Sequence, residues 1–377
     1  MIQYVGVNDH QVDLFEGQYI VKNGMSYNSY VLMEEKIAIL DTVDIHFAKE
    51  WLDNVKKTLN GRKPDYLVVL HMEPDHSASI RYLLEEFPNL TIVGNTKTFQ
   101  MIQQFFPGMS VKNLLTVKEG DKLELGSHVL QFVFAPMVHW PEVMMAYDLT
   151  TKAFFSADAF GKFGALDISE DWKEEARRYY IGIVGKYGLP VQNLFKKVAA
   201  LEISAIYPLH GPVLKDNLGY YLDLYNRWSS YQPEEEGVCI AYASIYGNTK
   251  QGVEELIKVL GNTKVEAFDL ARCDMSQAIS KAFQYSKLVV ASLTYNNGIF
   301  PPVEEFLHGL IERGYQNRTV GVIENGSWAP SAAKYIKQYF ADSKNVTLLE
   351  ETVTIKSSLD ENSKNQIQLL AEKLKSL

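Results

Sequence analysis

The segment His71-Met72-Glu73-Pro74-Asp75-His76 sets two imidazoles and two carboxylates within six positions, directly behind the apolar run Tyr66-Leu67-Val68-Val69-Leu70. Nitrogen and oxygen donors without a thiolate suit iron, manganese or zinc better than an iron-sulfur cluster. A single ion could hardly use all four groups. Three more residues stand at the mouths of apolar runs in the same way: His139 behind 132–138, Asp158 behind 153–157 and His210 behind 205–209. Ligand-type side chains at several strand exits converge naturally. A lone histidine at a strand end is more often a hydrogen-bonded structural residue, and a lone loop carboxylate beside a proline is more often solvated. It is the clustering that argues for metal. His10, His46, His128 and His308 lack neighbouring ligands and are expected to be solvated.

A second constellation lies further along. Ser244-Ile245-Tyr246-Gly247-Asn248-Thr249 follows the β-like run 238–243 and opens a helical pattern in which Val253, Leu256, Ile257 and Leu260 recur. Backbone amides at a helix start, with the hydroxyls of Ser244 and Thr249, can hold a phosphate monoester without a basic side chain. The Walker pattern is absent, which disfavours ATP. Alone, such a loop is ordinary helix capping. Two companions change that: Thr294-Tyr295-Asn296-Asn297-Gly298 behind the run 288–293, and Asn325-Gly326-Ser327-Trp328 behind 319–323. In an open parallel sheet all three loops rise beside one crevice.

The elements that must position these residues fall into two regions. Up to Ser230, short β-like runs such as 30–33, 37–40 and 129–134 alternate with helical patterns at 46–59, 77–86 and 169–187, which implies sheets covered by helices. Tyr231-Gln232-Pro233-Glu234-Glu235-Glu236-Gly237 reads as a linker. Beyond it, β-runs at 238–243, 265–270, 288–293, 319–323 and 346–356 alternate with helix-length segments, the signature of a doubly wound parallel sheet. Pro301-Pro302 should start an amphipathic helix buried through Val303, Phe306, Leu307 and Leu310. The expected domains are 1–236 and 237–377 of an α/β chain.

Composition sets the outer bounds. With 377 residues, two cores are expected. A formal charge of -9 and an isoelectric point near 5.5 argue against a nucleic-acid partner. The only cysteines, Cys239 and Cys273, indicate neither a disulfide scaffold nor a thiolate site. No apolar run approaches a membrane span and no leader is evident, so a cytoplasmic protein without membrane association is expected.

The metal constellation resembles the metallo-β-lactamase superfamily, except that Glu73 stands where the usual motif has histidine. A harder, anionic donor there suits iron. That pattern is found in the flavodiiron proteins, also called A-type flavoproteins, and the resemblance extends over nearly the whole chain. It implies a metallo-β-lactamase-like αββα sandwich followed by a flavodoxin-like sheet. It also implies two non-haem irons, one on His71, Glu73 and His139, the other on Asp75, His76 and His210, with Asp158 bridging. Trp140 and Tyr187 are candidates to wall the pocket or donate a proton. The three later loops resemble the flavodoxin pattern, with the FMN phosphate in the first and the ring between the second and third. Trp328 would stack on the ring. Close approach of backbone to ring would explain Gly298 and Gly326.

Two irons changing by one electron each and a flavin changing by two hold four electrons, which is what dioxygen needs to become water. Two nitric oxide molecules need two electrons to become nitrous oxide. The resemblance therefore implies an oxidoreductase acting on dioxygen, nitric oxide or both. A zinc-dependent metallohydrolase with a flavodoxin-like accessory domain is the alternative, since the amino-terminal fold class mostly hosts hydrolysis; a flavin electron carrier with a vestigial metal pocket is a third. With no room for an appended rubredoxin domain, electrons are expected from an external donor such as rubredoxin or a reduced deazaflavin. A head-to-tail homodimer, or a homotetramer built from two, is implied by resemblance alone.

Overall fold

The apolar runs of the first region become short strands, each ending where a chemistry-bearing side chain begins. A computed structural model describes residues Met1–Leu377 as two compact units, Met1–Tyr225 and Asn226–Leu377. In the first unit, strands Ile2–Tyr4, Tyr30–Leu32, Ala38–Leu40, Tyr66–Val68, Thr91–Gly94 and Asn113–Thr116 lie in that order in one sheet. Lys122–Glu124, Val129–Phe134, Met144–Asp148, Ala153–Phe155 and Ala205–Tyr207 form a second. The first three strands of the first sheet pair antiparallel and the rest parallel. In the second sheet only Ala205–Tyr207 joins in parallel, beside Ala153–Phe155.

Parallel neighbours need helical crossovers, and Ala48–Leu59, Ile80–Glu86, Thr96–Phe105 and Gly188–Val198 supply them. Strands Tyr30–Leu32, Ala38–Leu40, Met144–Asp148 and Ala153–Phe155 are buried at every position, so both faces of each sheet are covered. The Tyr30 ring of one sheet meets Phe155 and Tyr207 of the other at 5.7 and 5.3 Å, which places the sheets face to face with helices outside. This is the αββα sandwich expected. The helical pattern at 169–187 is broken in three, as the α-helix Trp172–Tyr179, the π-turn Tyr180–Val184 and the 3-10 turn Gly185–Tyr187. Wide turns of this kind are frequent at functional sites.

The second unit orders its parallel strands as Val265–Asp269, Glu235–Tyr242, Tyr285–Tyr295, Thr319–Asn325 and Thr347–Ile355. In chain order that is 2-1-3-4-5, the flavodoxin-like winding. Helix Asn248–Leu260 buries Val253, Leu256 and Leu260 as its spacing predicts, and Pro301–Glu312 buries Val303, Phe306, Leu307 and Leu310. The acidic run differs from the linker expected of it. Glu235 and Glu236 begin the first strand, because their carboxylates are matched: Glu235 by Lys264 and by Gln284 at 2.8 Å, Glu236 by Lys287 at 2.9 Å. The boundary between compact units falls earlier, at Tyr225/Asn226.

Candidate functional site

All seven residues singled out as metal ligands converge in the first unit. His71, Glu73, His139 and Asp158 form one group, and Asp75, His76 and His210 the other. In the first, His139 Nε2 lies 3.0 Å from Glu73 Oε2 and 3.1 Å from Asp158 Oδ2, while His71 Nε2 lies 3.3 and 3.4 Å from the same two oxygens. In the second, His76 Nε2 is 3.1 Å from Asp158 Oδ1, and His210 Nε2 is 3.2 Å from Asp75 Oδ2. Asp158 thus turns one oxygen to each group. Two imidazole pairs also point ring nitrogens at each other, His71 with His139 at 3.4 Å and His76 with His210 at 3.1 Å. Donors bound at about 2.1 Å to one ion stand roughly 3.0–3.4 Å apart, so these separations are those of ligands sharing a metal.

The surrounding residues hold the donors from behind. Glu142 Oε1 accepts from His71 Nδ1 at 2.8 Å and from the Met72 amide at 2.9 Å, which leaves Nε2 facing the cluster. Asp41 Oδ1 accepts from the amides of Leu70 and His71, at 2.8 and 3.2 Å. His210 Nδ1 donates to the Ser26 carbonyl at 2.7 Å. The Thr42 amide and hydroxyl both donate to the His76 carbonyl, and Ser77 closes the loop onto the Met72 carbonyl. By contrast His76 Nδ1 is buried without a partner, so nothing behind that ring fixes its tilt.

Burial and mutual pairing set the electrostatics of the cluster. Burial opposes charge on His71, yet Asp158, Glu142 and Glu73 together outweigh it and hold that ring well above the ordinary histidine range. His139 is pushed up to about 9, the hydrogen bonds to Asp158 and Glu73 exceeding the cost of burial. His210 is raised chiefly by Asp75 in the same opposition. Glu73 and Asp158 are driven the other way: burial would raise them, and the imidazoles lower them.

In the second unit the three loops line one cavity of about 670 Å³. Ser244, Ile245, Tyr246, Asn248 and Thr249 come from the first, Thr294–Asn297 from the second, Asn325–Trp328 from the third. Trp328 and Tyr246 are 90% and 91% exposed, large rings with nothing stacked upon them. Gly247 and Gly298 are not among its lining residues, Gly298 instead lining a neighbouring cavity with Tyr295, Asn296 and Asn297. Gly247 precedes the helix with a φ of 92° that favours glycine. Gly326 is required for a different reason from the one expected, since a Cβ there would meet Pro330 Cα of its own loop at 2.9 Å.

With this geometry in hand, the likenesses are specific. The family model described as ODP family beta lactamase matches residues 25–211. An anaerobic nitric oxide reductase flavorubredoxin of Salmonella arizonae is 29% identical over 363 residues, covering 90% of this chain and 74% of that protein. Among solved structures, rubredoxin oxygen:oxidoreductase of Desulfovibrio gigas superposes with a TM-score of 0.92 at 24% identity, over 100% of this chain and 97% of that one. The flavodiiron protein of Giardia intestinalis does so with a TM-score of 0.86 at 24% identity, over 100% and 95%. The chain belongs to the flavodiiron protein family. It is an oxidoreductase, and flavodiiron proteins bind FMN and a non-haem diiron centre. The residues fit both groups. Asp75 Oδ1 and Oδ2 and Asp158 Oδ1 are buried without hydrogen-bond partners, an arrangement that bound cations would satisfy. The second-unit cavity joins a helix start to bare aromatic faces, as a phosphate and a planar ring require.

Other residues of this flavodiiron chain emerge only from the structure. Trp140 packs edge-on to His71 at 5.3 Å and to His139 at 6.1 Å. Tyr187 makes no such contact. Two tyrosines pack on His210: Tyr27, its ring 6.0 Å away and its hydroxyl bonded to Asp9, and Tyr179, fully buried, its ring 5.5 Å away and its hydroxyl without a partner. Burial and the carboxylates of Asp158, Asp75 and Glu73 keep that phenol protonated. Glu16, at the tip of the hairpin Leu14–Phe15 and Tyr19–Ile20, meets the Glu73 carboxyl, and desolvation with that like charge pushes it up to about 7. Ser357, in a fourth loop, joins the flavin cavity through its hydroxyl on Ser327 at 2.9 Å. His128 corrects an expectation: it is buried, 2.7 Å from Asp148 and 3.4 Å from Glu34. His10, His46 and His308 are exposed as expected. Both cysteines are free, and no helix is long and apolar enough to cross a membrane.

Proposed function

We propose that this cytoplasmic protein reduces dioxygen to water, nitric oxide to nitrous oxide, or both, at a diiron site fed with electrons by FMN. The observation that carries the reading is Asp158, whose two oxygens address two separate donor groups. In the proposal His71, Glu73 and His139 hold one ion and Asp75, His76 and His210 the other. When bound, the iron pair and flavin supply the electrons. The chain's part is to hold the donors, orient the gas and deliver protons. Glu142 fixes the tautomer of His71, and Trp140 closes the wall beside it. Tyr179 offers a protonated phenol beside His210, and Glu16 stands at the hairpin tip near Glu73. Ser244 and Thr249 take the flavin phosphate, Trp328 stacks on the ring and Asn297 meets its edge. Rubredoxin or a reduced deazaflavin serves as donor, and the protein works as a head-to-tail homodimer or homotetramer.

Protein purified without oxygen from iron-supplied cells should contain two irons and one FMN per chain, and consume one or both gases when chemically reduced. One zinc with no flavin would sink the reading in favour of a hydrolase. Tyr179→Phe should keep metal and flavin contents while slowing gas reduction about 100-fold, the scale of a lost proton or hydrogen-bond donor. An unchanged rate would remove Tyr179 from the reaction.

A further inference from the structure

The first unit contains a second cavity, separate from the metal cluster and lined only by apolar surface. Its volume is about 20 Å³. Helix Gly188–Val198 contributes Val191 and Leu194, strand Ala153–Phe155 contributes Phe154, and strand Ala205–Tyr207 contributes Ile206. Ala159 and Phe160 close it on the side of the ligand-bearing turn. The one polar atom nearby, the Tyr225 hydroxyl, is occupied by the Phe160 amide at 2.5 Å. A space of ~10–15 Å³ suffices for one water-sized molecule, but a water would need two to four polar partners. None is offered here. Apolar voids of this kind stay dry and take up xenon or other small apolar species.

The placement links this void to the site already described. Two strands that deliver ligands also wall the cavity: Phe154 stands four positions before Asp158, and Ile206 four before His210. Four residues span at most about 14 Å even when extended, so the cavity lies within that reach of both ligands. The turn between is unusually constrained. Ala157 and Phe160 have φ of 50° and 68°, the Ala159 amide and carbonyl are both tied to Ser156, and the Gly161 amide is tied to the Asp158 carbonyl. The turn therefore gives its carboxylate to the cluster and the next two side chains to the cavity.

We infer that this cavity is a binding site for a small apolar diatomic gas, which it holds one residue away from Asp158 and supplies to the metal cluster. The inference rests on the proposed gas-reductase function for the identity of the ligand, though not for the existence of the site. Its chemistry selects by what is missing: dioxygen and nitric oxide lose little by leaving water for an apolar void, whereas water and ions lose their hydrogen bonds.

The test uses the intact, metal- and flavin-loaded protein. Crystals pressurised with xenon should show it in this cavity. Leu194→Phe, which fills the void from the helix side, should exclude xenon and raise the KM for the gas about threefold or more while leaving kcat at saturating gas unchanged. Leu194→Ala, which enlarges the void, should keep xenon and leave KM no higher than wild type, and it serves if the phenylalanine variant fails to fold. Absence of xenon from the wild type would overturn the inference, as would a filled cavity with an unmoved KM or an Ala variant with a raised one. Wild-type protein that binds xenon yet consumes neither gas would overturn the functional reading alone.

Discussion

Asp158→Asn should leave the chain with one iron or none and cut gas reduction by about 1000-fold or more, the scale of losing a charged group that acts directly in a site. An amide offers one oxygen where the carboxylate offers two. Its nitrogen, a donor, would face either the His71–His139 side or the His76–His210 side, at the 3.1 Å where an anionic oxygen now stands. One donor group then loses its shared ligand, and both lose half of a negative charge. FMN absorbance should be unchanged, since the flavin cavity belongs to the other compact unit. The metal-free variant should also lose about 3 kcal/mol of stability and unfold at lower denaturant, because it removes a charged partner of four buried imidazoles. Elemental analysis, visible absorbance and a urea melt read the three effects separately. Two irons retained with full activity would remove Asp158 from the bridging position.

How much of this was legible beforehand follows from the range over which each signal acts. The seven clustered donors were visible because they stand at or just behind the exits of apolar runs, and a strand's end is a local property. The flavin loops were visible for the same reason. Glu142 was not, although it follows His139 by only three positions, because its role depends on His71 arriving from the neighbouring strand end. His128 looked solvated because its partners come through sheet pairing, with Leu130 opposite Asp148 across the ladder. Tyr179, which packs on His210, was not singled out in the sequence, because a single helical period over 169–187 gives no warning of a π-turn at 180–184. The charged run at 234–236 read as a linker, since the lysines that neutralise it, Lys264 and Lys287, are remote in sequence. The small cavity has no local signal at all, being enclosed by two strands, a turn and two helices.

Iron binding to the metal-free protein should release about two protons per chain at pH 7, because imidazoles must be neutral to coordinate. In the free cluster His71 is held well above the ordinary histidine range and His139 is pushed up to about 9, so these two rings carry protons near neutrality, and His210 is shifted in the same direction. The sign for stability follows from the same shifts. A histidine whose folded pKa exceeds its unfolded value of about 6.5 contributes fully below that pH and loses its contribution as pH rises through the folded value. For His139 that window runs from about 6.5 to about 9 and is worth on the order of 3 kcal/mol. Glu73 and Asp158, held low, contribute above the ordinary carboxylate range near 4 and lose it only in acid. The contribution of these groups to the metal-free protein should therefore be greatest between about pH 4 and 6.5 and fall toward 9, and Glu16 and Asp41, whose carboxyls are pushed up to about 7 and about 8, add to the loss as pH rises. The iron-loaded form, its rings already neutral and coordinated, should not weaken there. The gap between the two melting temperatures should widen across that interval, and iron affinity should rise with it. Titration calorimetry in buffers of different ionisation enthalpy counts the protons directly. A count of zero would mean that the free histidines are neutral, and that the cluster is held together by its backbone scaffold rather than by charge.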